Sequence, residues 1–359
     1  MSLAHALYSF AAMERTAGPI PRRTPMRAYT PLTITDAVLE QMASTPDPRM
    51  KEVMEAAVRH LHAFAREVNL TPAEWIKGIE FMTKVGQACT PARQEFILLS
   101  DTLGLSALVN IMHDKTKVEE ATSASLLGPF FRENTPTFAS GAQIAKKTEG
   151  AEVVLFGRVS NAQGAPLPNA QVTVWQTAAD GRYDIQNGIE EIDCRGIFKT
   201  DVDGNYLIRT VRPLGYFIPL DGPVGQMVMS QKRHGMRPAH IHFLISAPGY
   251  RELVTALYLA GDTHLQDDVV FGASADLVAE VKDGDPACPI TGQPSIHFDF
   301  SLARESEADK RAGRVGADPA AVTAGNGQAT KPYGAPPAEI AAAAGPKKSG
   351  ILGGLFRGR

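Results

Sequence analysis

One stretch in the second half of the chain, Arg237-Pro238-Ala239-His240-Ile241-His242-Phe243, sets two imidazoles two positions apart among strand formers. In an extended strand residues i and i+2 project from the same face, so His240 and His242 point the same way. Ile241 and Phe243 then face the other side, as a sandwich core requires. Such a pair can ligate a metal, and it also occurs as two ordinary strand histidines. The other donors decide which metal would be held. Zinc would take further His, Cys or carboxylate ligands, whereas a ferrous oxygenase centre would add one Asp or Glu. The same half of the chain has tyrosines at turn-like places, Tyr183 in DGRYDIQ and Tyr216 in RPLGYFIP. Tyrosinate is a hard, anionic oxygen donor that favours ferric over ferrous iron. Two His with two tyrosinates would describe an iron that stays Fe(III). The same two tyrosines also read as buried structural rings with satisfied hydroxyls.

The elements that would carry these residues change type along the chain. Residues 1–30, with Pro19, Pro21, Arg22, Arg23 and Pro25, read as a lead-in. From about Ile34 the pattern is helical, with Thr35 or Asp36 as a cap. Residues 48–68 space Val53, Ala57, Leu61, Phe64, Ala65 and Val68 three or four apart, as one amphipathic helix would. Thr71-Pro72-Ala73-Glu74 has the form of a helix start. Residues 93–113 predict one more helix, interrupted by Gly104. From Glu152 the period becomes two: VVLFGRVS, AQVTVWQT, GIFKTD, NYLIRTV, HIHFLIS and LVTALYLAG alternate with turns such as DVDGN. The expectation is α+β by content: a helical linker and dimerisation domain over 31–125, then an all-β antiparallel sandwich over 126–303. Residues 304–359, rich in Ala, Gly, Pro and Lys, bury too little to offset ordering entropy and read as a disordered tail.

A chain of 359 residues with 44% hydrophobic and 21% charged content has the composition of a globular protein. Its net charge of -3 supplies no attraction to nucleic acid or an anionic membrane. Cys89, Cys194 and Cys288 form neither a disulfide framework nor a thiolate zinc motif. The N-terminus has no basic residue ahead of its short apolar stretch, and no run is long enough to span a bilayer. The expected location is the cytoplasm.

Taken together, these blocks resemble the intradiol catechol dioxygenases, and within them the hydroxyquinol-cleaving branch. The resemblance runs from about Asp36 to Phe300 and keeps its order: RHLHAFAREVNLTPAEW, RQEFILLSDTLGLSALV, LLGPFF, DGRYDIQ, TDVDGNY, YFIPLDGPVGQ, RPAHIHFLISAPGYRELVT and DDVVFG. It implies Fe(III) held by Tyr183, Tyr216, His240 and His242, with Tyr183 and His242 equatorial and Tyr216 the ligand that leaves as substrate arrives. Arg237 falls where the family keeps a pocket arginine, whose charge would stabilise negative charge on the ring. Leu98, Asp101, Leu126, Gly128, Ile218, Pro219, Leu220 and Val270 match positions lining the family's substrate cleft. Asp101, in LSDTLG, would suit a third hydroxyl on the substrate. The chain departs from many catechol-cleaving relatives at Ala256, where they carry a polar side chain.

The resemblance thus implies an enzyme that uses O2 to open an aromatic diol or triol between its hydroxylated carbons, as a homodimer formed through the N-terminal helices. Hydroxyquinol is the substrate it favours, giving 3-hydroxy-cis,cis-muconate or maleylacetate. Catechol or a chlorocatechol is the alternative, and a non-enzymatic aromatic-binding sandwich a further one.

Overall fold

The structure, a computed structural model, describes residues 28–90, 93–113, 121–188 and 191–306. Of the expected lead-in over 1–30 and tail over 304–359, all but residues 28–30 and 304–306 lie outside the described residues. The described residues form two compact units, divided between Gly78 and Ile79.

In the first unit, α1 (Ile34–Gln41) and α2 (Pro48–Glu67) start as their sequences dictate. Asp47 caps α2, its Oδ1 accepting from Arg49 N at 2.8 Å and Met50 N at 3.2 Å, and Pro48 fills the first position where no N–H is needed. Helix α1 begins at Ile34, where the pattern turns helical, but Thr33 and not Thr35 or Asp36 stands at its N-cap position. The Thr35 hydroxyl is engaged by His62 and Arg66 of α2 instead of capping its own helix. Helix α3 (Pro72–Ala88) opens with the predicted capping box: Thr71 N donates to Glu74 Oε2 at 2.9 Å and Glu74 N to Thr71 Oγ1 at 3.3 Å.

The single helix expected over 93–113 is two, α4 (Glu95–Thr102) and α5 (Leu105–His113), bent by 71°. Gly104 sits between them at φ +72°, a left-handed conformation that costs other residues about 1–2 kcal/mol. The split matters because α4 carries Leu98 and Asp101. Both helices fall in the second compact unit together with the sheets. Val85, Leu98, Leu99 and Ala107 pack in one buried cluster with Leu126, Ile218, Val224, Val228, Val269 and Val270.

The predicted strands form as β1 (Glu152–Asn161), β2 (Gln171–Gln176), β3 (Arg195–Lys199), β4 (Asn205–Val211), β7 (His240–Ser246) and β8 (Leu253–Leu259). Between them lie the two-residue strands β5 (Tyr216–Phe217) and β6 (Met236–Arg237), with α6 (Pro223–Ser230) in the connection. After β8 come β9 (Val278–Ala279), β10 (Ser295–His297) and β11 (Phe300–Leu302). One sheet is ordered β3-β2-β7-β8-β9; the other has β4, β10 and β11 on β1. Their inner faces meet through Val153, Leu155, Val172, Val174, Ile208, Ile241, Phe243, Ile245, Leu257 and Phe300.

The long ladders are antiparallel as expected, but β9 pairs with β8, and β10 and β11 with β1, in parallel. A parallel pair needs a long crossover. Residues 260–277 supply the one between β8 and β9, and that loop contributes to the site below. The last strand, β11, ends at Leu302, and Leu302 and Ala303 are buried.

Candidate metal centre

Strand β7 is flanked by β2 and β8, so its two faces are buried differently. Ile241, Phe243 and Ile245 enter the sandwich core, and His240 and His242 share the other face, their Nε2 atoms 3.1 Å apart. Trp175, paired with His242 across β2–β7, stacks on its imidazole with centroids 5.0 Å apart and planes 5° apart. His240 Nδ1 lies 2.7 Å from the Pro238 carbonyl. A carbonyl only accepts, so Nδ1 carries the proton and the Nε2 lone pair faces inward, as a ligand histidine requires.

Tyr183 precedes a 3-10 turn, Asp184–Gln186, and its ring stacks on Phe130 at 4.4 Å. The turn is held by a buried fork: Arg195 Nε donates to Asp184 Oδ2 at 2.6 Å and its Nη2 to Asp184 Oδ1. Gln186 Oε1 also accepts from Tyr183 N at 2.8 Å. Tyr216 stands on β5, paired in register with Arg237 on β6. These elements bring four donors together. Tyr183 Oη lies 3.3 Å from His240 Nε2, and the two phenol rings meet edge to face at 5.6 Å with their hydroxyls bonded to each other.

Burial raises both phenol pKa values, with the neighbouring Tyr216 adding to the rise at Tyr183 and Arg237 opposing it at Tyr216. Burial likewise pushes both imidazoles well below their usual range, helped by Arg237. The imidazoles are therefore neutral and ready to donate lone pairs, and the phenols would ionise only toward a cation placed among them. Two potential phenolate oxygens and two neutral imidazole nitrogens, spaced about as atoms sharing one first-row ion are, fit a hard ferric ion. Gly128 leaves room beside the centre. At φ +71° it is left-handed, and an added Cβ would stand 3.4 Å from Cε1 and Nε2 of His242.

Arg237 is 2% exposed and faces this centre. Its Nη1 lies 3.4 Å from Tyr216 Oη and 3.1 Å from His240 Nε2. Nε donates to Asp268 Oδ1 at 3.1 Å and Nη2 to Oδ2 at 3.2 Å; Nη2 also donates to Tyr258 Oη at 3.3 Å. Burial opposes the guanidinium charge, but Asp268, Tyr216 and Tyr258 outweigh it and hold the pKa well above the arginine range. Asp268 is fixed in turn by Val270 N and Gly272 N, and the Tyr258 hydroxyl by Ser125.

The expected cleft residues divide. Leu98, Leu126, Ile218 and Val270 are buried in the mutual cluster described above, Leu220 packs against it, and Pro219 is half-buried beside it in the chain. Asp101 is buried, not a helix-surface carboxylate, and burial lifts it to about 6 against the Ser106 hydroxyl and the Arg237 charge. Ala256 pairs with His242 across β7–β8, and Tyr258 pairs with His240. The polar group missing at Ala256 thus has a counterpart two residues on, in contact with Arg237.

The family described as "Catechol dioxygenase N terminus" matches residues 47–121, and that described as "Dioxygenase" matches residues 126–304. A 6-chlorohydroxyquinol 1,2-dioxygenase of Cupriavidus pinatubonensis is 44% identical over 278 residues, covering 77% of this chain and 99% of the relative. The chain belongs to the intradiol ring-cleavage dioxygenases. Among solved structures, a hydroxyquinol 1,2-dioxygenase from Pseudomonas putida superposes with TM-score 0.71 at 41% identity, over 77% of this chain and 99% of that one. The catechol 1,2-dioxygenase of Acinetobacter radioresistens gives 0.68 at 28% identity, over 78% and 95%.

For an intradiol dioxygenase, several supporting residues had escaped the sequence reading. Trp175, Phe130, Tyr258, Asp268 and the Asp184–Arg195 pair each sit one contact away from a donor or from Arg237. Trp175 and Tyr258 carried a usable signal, since strand period two puts them beside the two histidines once β2 and β8 are paired with β7. Asp268 carried only its place in the DDVVFG block, because only the crossover brings it to Arg237.

Proposed function

We propose that the protein is a hydroxyquinol 1,2-dioxygenase with Fe(III) held by Tyr183, Tyr216, His240 and His242. It would convert benzene-1,2,4-triol and O2 to 3-hydroxy-cis,cis-muconate, in equilibrium with maleylacetate, both atoms of O2 entering the product. The observation that carries this reading is the convergence of two phenol oxygens and two lone-pair nitrogens in one buried space. The relatives at 38–44% identity that are named for hydroxyquinol or its chloro derivative support the substrate.

Bound among these donors, Fe(III) supplies Lewis-acid activation that makes the substrate's ring carbon reactive toward O2. The chain's own residues do the rest. Tyr216, bonded to Arg237 at its hydroxyl, is the local base that takes a proton from a substrate hydroxyl as it gives way. Arg237, its direction fixed by Asp268 and Tyr258, stabilises negative charge that develops on the ring and oxygen. Asp101 accepts a hydrogen bond from the third hydroxyl. Leu98, Leu126, Gly128, Ile218, Pro219, Leu220 and Val270 bound the ring and keep water away.

The enzyme acts as a homodimer through its helical region, supported by the apolar surface of α2 and α3, and in the cytoplasm, supported by three free thiols at Cys89, Cys194 and Cys288. No single helix among the described residues is long and apolar enough to cross a membrane.

Oxygen uptake against a panel of catechols and the triol, with iron counted and the visible spectrum recorded, tests the proposal. One iron per chain, a red-brown band that shifts with substrate, and the highest kcat/KM for the triol are expected. Colourless protein that gains no activity on reconstitution with iron overturns the metal reading, and a preference for catechol overturns the substrate.

A further inference from the structure

The crossover that carries Asp268 also bears ligand-type side chains on its exposed side. His234, His264 and Asp267 offer one ligand atom apiece, all within 4.8 Å of one another. His234 Nε2 lies 3.1 Å from Asp267 Oδ2, and His264 Nδ1 lies 3.0 Å from Asp267 Oδ1. The two rings stand 4.9 Å apart. Their positions are not left to side-chain freedom alone. Met236 N donates to His234 Nδ1 at 3.1 Å, and His264 N donates to Asp262 Oδ1 at 2.9 Å. The hydrogen bond with His264, foremost, and the neighbouring His234 hold the Asp267 carboxyl below its ordinary range. Ring cleavage as derived above uses none of the three.

The donor chemistry selects the ligand. Two imidazoles and one carboxylate suit a divalent first-row ion such as zinc, whereas calcium and magnesium prefer all-oxygen surroundings. Side-chain exposures of 37%, 27% and 55% let an ion arrive from solvent and leave positions for water.

We propose that His234, His264 and Asp267 form an open zinc site that ties the segment before β6 to the β8–β9 crossover. The two tied segments are those that bear Arg237 and Asp268: His234 lies three residues before Arg237, and Asp267 adjoins Asp268. Zinc there braces the ion pair behind the catalytic centre without touching it. Binding exchanges one arrangement for another. With Met236 N donating to Nδ1, the neutral His234 ring carries its proton on Nε2, toward Asp267. Zinc at Nε2 moves that proton to Nδ1 and displaces the Met236 bond, with no net proton lost from the ring. The change of tautomer is a signature that a purely structural His–Asp–His cluster would not give.

The test is a Zn2+ titration of the iron-loaded enzyme against a chromophoric chelator, with the visible band of the iron centre followed throughout. One zinc per chain should bind while the band persists, Tm should rise by several degrees, and nitrogen NMR should report the switch of His234 to the Nδ1–H form. His264→Ala and Asp267→Asn should each weaken binding by about tenfold or more and abolish the rise in Tm, while keeping the fold by circular dichroism. Failure of the wild type to take up zinc overturns the site. So does uptake that is equal in both variants, or uptake that bleaches the iron band, because the zinc would then lie elsewhere. An absent iron band before any zinc is added would instead count against the iron reading, and the chelator titration and His234 tautomer still report on this site.

Discussion

Burial, the largest influence on Asp101, holds its carboxyl up at about 6, so a charge needed by the substrate is one the empty fold resists. Because the folded pKa lies above the unfolded value, the native state binds more protons than the unfolded chain between about pH 4 and 6. Stability therefore falls as pH rises through that window, and a cost on the order of 2–3 kcal/mol stands in full above it. Asp101→Asn should raise Tm at pH 7.5, and the gain should shrink as the pH approaches 4; a gain independent of pH would refute the assignment. The same variant should lower the ratio of kcat/KM for hydroxyquinol over catechol by about tenfold or more, since a buried charge-assisted bond is worth roughly 1.5–3 kcal/mol. Tyr216 and His242 should part company in a second experiment. His242→Ala removes a proposed ligand and the partner of the Trp175 stack, and should strip iron. Tyr216→Phe removes the ligand proposed to give way to substrate, and should leave iron bound while slowing turnover. Equal loss of iron in both variants, measured by metal analysis, would show that the two ligands are not divided in this way.

At the scale of elements, the site depends on short pieces whose positions are fixed by distant partners. The 3-10 turn after Tyr183 is held by the buried Asp184–Arg195 fork, with Arg195 Nη2 also donating to the Phe130 carbonyl at 3.2 Å. Removing one member of a buried pair leaves the other charge unpaired and costs about 3–5 kcal/mol. Asp184→Asn should lose stability on that scale in denaturant titration, together with iron affinity; a loss under about 1 kcal/mol would mean that the fork does not anchor the turn. These dependencies mark where sequence reading stopped. The two histidines, the long strands and the Thr71 helix start were legible because period two and capping chemistry are local. Strands β5, β6, β9, β10 and β11 are two or three residues long, too short to show a period. The break between α4 and α5 was marked in the sequence only by Gly104, with apolar residues continuing on both sides, so its angle was not legible. Tyr183 and Tyr216 became ligand candidates through ordered family motifs, since their own spacing is also that of structural rings. Asp268 is 31 positions from Arg237, and only the parallel return from β8 to β9 brings them together.

At the scale of the whole molecule, α2 and α3 raise the question of what covers them. Helix α2 runs for 20 residues and buries none fully, exposing Met50, Val53, Met54, Leu61 and Phe64, while α3 exposes Trp75, Ile76 and Ile79. Large apolar side chains exposed along one helix in this way mark an interaction site. A second copy of the chain is the occupant proposed above, and an isologous contact would let each helix face its own counterpart. Charges placed in such a contact lose solvation without gaining partners, so Leu61→Glu with Phe64→Glu should split the assembly. The substituted positions lie in the first compact unit, and every proposed iron ligand lies in the second. The variant should therefore sediment at the mass of one chain and still bind iron, while the wild type sediments at twice that mass. A wild-type protein that sediments as one chain at every concentration assayed would leave these helices to a different partner, and a variant that stays dimeric would move the interface away from α2.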